Sequence, residues 1–245
     1  MNIGFEWTLG EYAAVDVALL EECAALFSKH YGTWSSCHPE TCLRSRNVRL
    51  SPERIAELLR ADGALIYCAR YEGKLVGYAI AIIVPQSKTK KIAWTTQLVV
   101  SQNFRRNRIA QRLLHGVCNE VEKCTAWGLI SANPYAIRAL ERATQRRCDP
   151  GRIKRNIAVI RRLGAVGVPY VNAGCELSIT SKCAAINTEF FVDHVDVEVM
   201  LKYVSVSTPW LLGTLMEGWE WLGFTFESQK TFTDEVQGVN DEREL

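Results

Sequence analysis

Residues 97–114 read QLVVSQNFRRNRIAQRLL. Gln97, Leu98, Val99 and Val100 close an apolar run that begins at Ile92 and has the composition of a strand. Past a polar turn the spacing changes, and Ile109, Leu113, Leu114, Val117 and Val121 recur at intervals of three and four, the stripe of a helix. Between strand and helix stand Arg105, Arg106 and Arg108. A helix start offers unpaired backbone N–H groups and a partial positive charge, so three guanidinium groups there make a place for an anion such as a pyrophosphate. Ala110 is small enough to let the backbone come close. Taken alone, three arginines at a helix start are more often a solvated cluster; the strand before them and Asn133-Pro134 after them favour the anion site.

Upstream, Val15, Leu19, Cys23, Leu26 and Phe27 predict an amphipathic helix over 11–29, and Ser51-Pro52-Glu53 starts a second helix that ends near Arg60. Two runs rich in Ile, Val and Tyr, Ala64 to Tyr71 and Lys74 to Val84, meet at Glu72-Gly73 as a hairpin, and Ile92 to Val100 adds a third antiparallel strand. Downstream, Trp127 to Ala132 is a strand and Pro134 to Thr144 a helix. A helical crossover of this length sets Trp127 to Ala132 parallel to Ile92 to Val100, giving a mixed sheet whose strand ends diverge, and clefts form at such places. Later, Val195, Val197 and Val199 alternate with Asp196 and Glu198, which predicts a half-buried strand. Trp219 and Trp221 alternate with Glu220 as another, interrupted at Gly223. Trp210, Trp219 and Trp221 fill the core or form a dimer surface, the core being the commoner fate.

The composition fits a folded domain: 245 residues, 48% apolar, with 29 Lys+Arg against 27 Asp+Glu, a balance that excludes disorder and coiled coil. The longest uncharged apolar stretch near a strand, Val76 to Val84, is far short of the roughly 20 residues of a membrane-spanning helix. The N-terminus lacks the basic-then-apolar order of a secretory signal, so a cytoplasmic location is expected. Nine cysteines without a Cys-x-x-Cys pair argue against zinc; Cys37, His38 and Cys42 are the one local cluster, and no metal is expected.

The stretch at Arg105, Ile109 and Ala110 resembles the pyrophosphate loop, Arg/Gln-x-x-Gly-x-Gly/Ala, of the GNAT superfamily of acyl-CoA-dependent N-acyltransferases. Asn133-Pro134-Tyr135-Ala136, continuing to Glu141, is similar to that family's Asn-Pro-x-Ala-x-x-x-x-Glu segment. The resemblance covers residues 1–145 and implies an α/β (α+β) fold with a mixed sheet. The core would be 1–145, an acceptor-side extension over 146–230 would complete the same sheet, and 231–245 would be a frayed tail. It also implies an acyl-CoA as co-substrate, acetyl-CoA by default, and transfer of the acetyl group to an amine by direct attack. The backbone of Leu98, Val99 and Val100 would bind the acyl carbonyl and pantetheine arm. The amides of Arg105, Arg106, Asn107, Arg108, Ile109 and Ala110 would cradle the pyrophosphate, and Asn133 would hydrogen-bond the pantetheine.

Three positions depart from the family pattern. Arg108 stands where glycine is usual, which is tolerable only if it keeps a negative φ. Leu140 occupies the position of a tyrosine acid, and Thr96 or Gln97 that of a carboxylate base, neither able to take a proton at neutral pH. Tyr31, Asp193 and His194 are the remaining catalytic candidates, each with a plain reading as a packing or solvent-facing residue. The alternative to an enzyme is a GNAT-fold binding or regulatory module that has lost turnover. Nine bases between Arg138 and Arg162, against Glu141 and Asp149, add a rival signal. A solvated helix face is its commonest explanation; nucleic-acid phosphates, an acidic partner or the coenzyme's ribose phosphate are the others. No aromatic residue interleaves there to stack on single strands. The acceptor and the oligomeric state are not legible.

Overall fold

The computed structural model describes residues 5–11, 15–120, 124–171, 174–192 and 197–227. Eight strands form one sheet in the order β1-β2-β3-β4-β5-β8-β7-β6. The first half of the chain runs β1 (Phe5–Glu11), α1 (Val17–His30), α2 (Pro52–Leu59), β2 (Ala64–Tyr71), β3 (Lys74–Pro85), β4 (Lys91–Val100), α3 (Ile109–Glu120), β5 (Cys124–Ser131) and α4 (Pro134–Thr144). The second half adds α5 (Pro150–Arg155), α6 (Ile157–Ala165), β6 (Leu177–Ile179), β7 (Ala184–Asn187), α7 (Val197–Ser205) and β8 (Trp219–Phe226). All neighbouring strands are antiparallel except β4 and β5, which the α3 crossover makes parallel. Among the described residues, no helix is long and apolar enough to cross a membrane.

The helices start where capping chemistry puts them. Asp16, Ser51, Asn133 and Asp149 each accept a backbone N–H of the first turn, and Pro52, Pro134 and Pro150 sit where a missing N–H costs nothing. On one sheet face α1 and α2 bury Cys23, Phe27, Ile55 and Leu59 against Tyr78, Ile80 and Val99. On the other, α3 and α4 bury Ile109, Leu113 and Ile137 against Trp94, Trp221 and Phe224. Gly77 allows the second packing: a Cβ there would stand 3.1 Å from Ile109 Cγ2.

Several expectations change. The segment Phe5–Glu11 is a strand paired with β2, so α1 begins at Val17 rather than at residue 11. The strand predicted from Val195 to Val199 is replaced from Val197 onward by helix α7, whose buried Val197 and Val204 lie seven residues apart, a helical interval. Val195 lies outside the described residues, as do Val121 and the tail 231–245. Gly223 does not interrupt β8, which runs on to Phe226 with every residue buried. Its missing side chain admits α4, since a Cβ there would meet Ile137 Cδ1 at 2.8 Å. Trp219 and Trp221 are core, and Trp210 packs edge-on against Trp221 at 4.6 Å.

Candidate active site

The site is built on an irregularity in β4. Ile80 pairs with Gln97 and Ala81 with Thr95, which leaves Thr96 as the extra residue of a bulge, its hydroxyl donating to Ile80 O at 3.3 Å. On the other edge the parallel ladder with β5 ends at Thr95 and Leu129, although β4 continues to Val100 and β5 to Ser131. Beyond that point the strands part. Among the described residues, the β4 backbone groups turned away from β3 over Leu98, Val99 and Val100 have no strand opposite them, so a peptide-like chain can pair there.

At the open end of the gap, a 3-10 turn over Gln102–Phe104 leads into the arginine loop. Arg106 (φ 65°) and Arg108 (φ 59°) are both left-handed, so the condition set for an arginine in the usual glycine position, a negative φ, is not met. Left-handed residues in such a turn can bring backbone N–H groups to one side, the kind of concavity that binds anions. The Arg108 carbonyl accepts the first bond of α3, from Arg112 N–H, so this concavity runs directly into the helix N-terminus. Two non-glycine residues in this region cost on the order of 1–2 kcal/mol each, strain that a bound phosphate would offset. The Arg105 side chain points elsewhere: its guanidinium donates to His30 O and, at 3.4 Å, to Val100 O, tying the loop to the end of α1. Gln102 N–H donates to His30 Nδ1 at 3.4 Å, and burial with the nearby Lys29 and Arg105 charges holds the imidazole below its ordinary pKa. Asn133 is exposed at the start of α4; its Oδ1 caps Tyr135 N–H, which leaves its amide N–H₂ for a ligand.

Near the parted strands lies a polar cluster of which only Tyr31 and Gln97 were singled out from sequence. Glu220 on β8 is 6% exposed. Burial pushes its carboxyl up to about 7, against the opposing pull of hydrogen bonds from Thr188 and from the Ala132 backbone. The Thr188 hydroxyl donates to Glu220 Oε2 at 2.9 Å. Tyr31, the C-cap of α1, stacks on Phe27 and is raised well above the ordinary phenol pKa by burial and by the Glu220 and Tyr170 charges. Gln97 donates from Nε2 to the Tyr170 hydroxyl oxygen at 3.0 Å, leaving the phenolic hydrogen free to point elsewhere; burial also raises Tyr170. Tyr170 itself is left-handed, φ 68°. Gln97 Oε1 and the Tyr78 hydroxyl are buried without a hydrogen-bond partner. Unpaired buried polar atoms are costly, and a ligand amide in the gap would satisfy them.

Glu220 was read only as the residue alternating with Trp219 and Trp221; it lies on a strand held between β5 and β7 and is buried. Tyr170 carried no sequence signal beyond its place after a Gly-rich passage. Leu140 is 1% exposed inside α4 and fills core. Asp193 and His194 lie outside the described residues. Cys37 and Cys42 are exposed, while His38 Nδ1 accepts from the Glu40 N–H at 3.0 Å; among the described residues no three metal-ligating side chains converge.

Four of the nine bases are buried or half-buried, Arg138, Arg146, Arg147 and Arg152, while Arg142, Lys154, Arg155, Arg161 and Arg162 are exposed. Arg138 is 5% exposed, pairs with Glu141, and donates to the Val204, Thr208 and Pro209 carbonyls. Arg147 bonds Glu141 Oε1 at 3.1 Å and Pro209 O, Arg146 lies over the Trp127 ring, and Arg162 donates to Pro85 O. These contacts fasten the C-terminal segment to α4.

A splayed parallel strand pair followed by an anion-binding turn and a helix N-terminus is the framework of an acyl-coenzyme-dependent transferase. Residues 24–144 match the Acetyltransferase (GNAT) family, and the chain carries an acetyltransferase domain of that family. Comparison with curated proteins found no match. Among solved structures, an aminoglycoside acetyltransferase from an uncultured soil metagenomic sample, in complex with trehalose, is 16% identical over 56% of this chain and 87% of its own, with a TM-score of 0.40. The ribosomal-protein-S18-alanine N-acetyltransferase of Escherichia coli is 17% identical over 56% of this chain and 75% of its own, TM-score 0.40. The ribosomal-protein-alanine N-acetyltransferase of Brucella melitensis biovar Abortus 2308 is 18% identical over 51% and 79%, TM-score 0.37.

Proposed function

We propose that the protein transfers an acetyl group from acetyl-CoA to an acceptor amine, with Glu220 as the general base. The observation that carries this reading is the parting of β4 from β5 after Thr95 and Leu129, with a buried carboxylate bonded by the Ala132 backbone just past β5 and a turn with two left-handed arginines after β4. The pyrophosphate rests on the amides of Arg106 to Ala110, and the pantetheine arm pairs with the free edge of Leu98 to Val100 and with the Asn133 side chain. Backbone N–H groups on that edge also face the acyl oxygen, where a single such donor is worth about 3 kcal/mol as charge develops.

The acceptor nitrogen attacks the thioester carbon; the C–N bond forms, the C–S bond breaks, and the ammonium proton passes to Glu220. A carboxylate with a pKa of about 7 suits this role, because half of it is ionised at neutral pH and it holds the proton it takes. The Tyr170 hydroxyl gives its proton to the departing sulfur, which supplies the acid that Leu140 cannot. Nine free cysteines suit the cytoplasm, where thiols stay reduced. The test is release of free coenzyme A thiol from acetyl-CoA across a panel of amines, peptides and aminoglycosides. Amine-dependent release that Glu220→Gln abolishes supports the reading, and coenzyme binding without release from any acceptor counts against it.

A further inference from the structure

The connection between α1 and α2 shapes a second cavity, of about 590 Å³, lined by Trp34, Leu43, Arg46, Asn47 and Arg49. It is within the size range of small-ligand sites. Residues 31–50 carry three arginines and one acid, Glu40. Arg44 is committed to the loop, donating to His38 O at 2.7 Å. Arg46 and Arg49 are exposed, and among the described residues neither has a carboxylate within ion-pair distance. The loop is nevertheless fixed. Trp34 N–H donates to Arg46 O at 2.8 Å, Ser45 N–H to Trp34 O at 3.2 Å, and Val48 N–H to Gly32 O at 2.9 Å.

This cavity is wired to the polar cluster. Trp34 pairs with Val192 and packs edge-on against Phe190 at 5.0 Å, while Phe190 packs against Tyr31 at 5.9 Å. Thr188, which bonds Glu220, precedes Val192 by four residues, a backbone reach of at most about 14 Å. An amine beside Glu220 and a group beside Arg46 therefore lie within a span on the order of 20 Å, inside the reach of a peptide of three to five extended residues and its side chains.

We propose that this cavity is the acceptor's anion subsite, so that the amine acetylated is the N-terminus of a peptide with acidic side chains three to five residues in. The assignment rests on the acetyltransferase reading for what happens to the amine, but not for the binding itself. Two exposed guanidinium groups on a fixed loop, beside an indole and without internal counter-charge, recognise carboxylates in paired hydrogen bonds.

The experiment is a binding titration of the full chain, with coenzyme A present, against two peptides. Both have a free N-terminus, one with Glu at positions three to five and the other with Gln there. The acidic peptide is expected to bind at least about tenfold more tightly, as one to two charge-assisted hydrogen bonds supply. Raising salt is expected to erase most of that preference. The double variant Arg46→Ala/Arg49→Ala is expected to reduce the acidic peptide to the level of the Gln peptide. Because both side chains are exposed, the variant should keep the native unfolding midpoint. Equal binding of the two peptides, or a preference that survives the double variant, overturns the subsite. A phosphate-bearing amine tested alongside, if it binds more tightly than the acidic peptide and loses that in the double variant, overturns the peptide assignment in favour of a phosphorylated acceptor. Failure of acetyl-CoA to bind in a separate titration would sink the acetyltransferase reading and leave the peptide result standing.

Discussion

The Thr188 hydroxyl donates to the Glu220 carboxylate at 2.9 Å, and the Ala132 amide bonds the same carboxylate from the end of β5. Two donors normally favour a carboxylate's charged form, yet burial outweighs them and leaves Glu220 with a pKa of about 7. A fully buried acid in this balance is costly to keep ionised, and such cost is ordinarily tolerated where the charge is used.

The first prediction concerns pH. Glu220 titrates near 7 when folded and near 4.5 when unfolded, so the folded state binds the extra proton. Its favourable contribution is full below pH 4.5 and is lost as pH rises through 7. Glu220→Gln, which keeps an acceptor for Thr188, should therefore gain stability relative to the native chain as pH goes from 5 to 8, by up to about 3 kcal/mol. In the native chain activity should rise with pH near 7, and the same substitution should abolish thiol release across that range. Thermal unfolding and thiol release at matched pH values check both.

Tyr170→Phe deletes the hydroxyl that Gln97 holds. If that hydroxyl protonates the leaving sulfur, kcat should fall about 100-fold with acetyl-CoA affinity unchanged. An unaltered kcat would assign Tyr170 to packing alone.

The arginine loop gives a test by conformation rather than charge. Arg108 is left-handed, so Arg108→Gly should relieve strain and stabilise the chain by about 1 kcal/mol while acetyl-CoA still binds. Arg108→Val, β-branched and poorly suited to φ 59°, should destabilise the chain and weaken coenzyme binding. Unfolding midpoints with and without coenzyme separate the two effects.

Glu141 is 3% exposed and balances Arg138 and Arg147. Removing it by Glu141→Ala leaves buried positive charge uncompensated, at a cost of about 3–5 kcal/mol, a fall in Tm on the order of 10 °C. Lys154→Ala, at an exposed position of the same stretch, should change stability by less than about 0.5 kcal/mol. Nucleic-acid binding that weakens steeply with salt and with Lys154→Ala would contradict the structural role given to these bases.

The coenzyme half of the fold was readable because its signals are local. A period of two gave way to a period near four at Ile109, and Ser51-Pro52 and Asn133-Pro134 announce helix starts in three residues. The sequence Phe5-Glu6-Trp7-Thr8-Leu9 alternates as a strand does, but the run is too short to stand out beside the helical spacing that follows it. Val195 to Val199 misled because three alternating valines are too few to outvote the helical spacing of Val197 and Val204. The polar cluster around Glu220 was hidden for a different reason. Glu220, Thr188, Tyr170 and Gln97 come from four segments that meet only once β8 enters the sheet, and no pairwise spacing in the chain encodes that meeting. Glu220 looked solvated because alternation cannot tell an outer face from one covered by another layer.

The most direct measurement is thermal unfolding of the chain with and without saturating acetyl-CoA. At about 100 times its dissociation constant a ligand stabilises by roughly 2.7 kcal/mol, which for a domain of this size raises the midpoint by about 5–10 °C. The account predicts that rise, and predicts that Arg108→Gly keeps it while Arg108→Val diminishes it. An unchanged midpoint at saturating acetyl-CoA would contradict the coenzyme site on which the proposed activity depends.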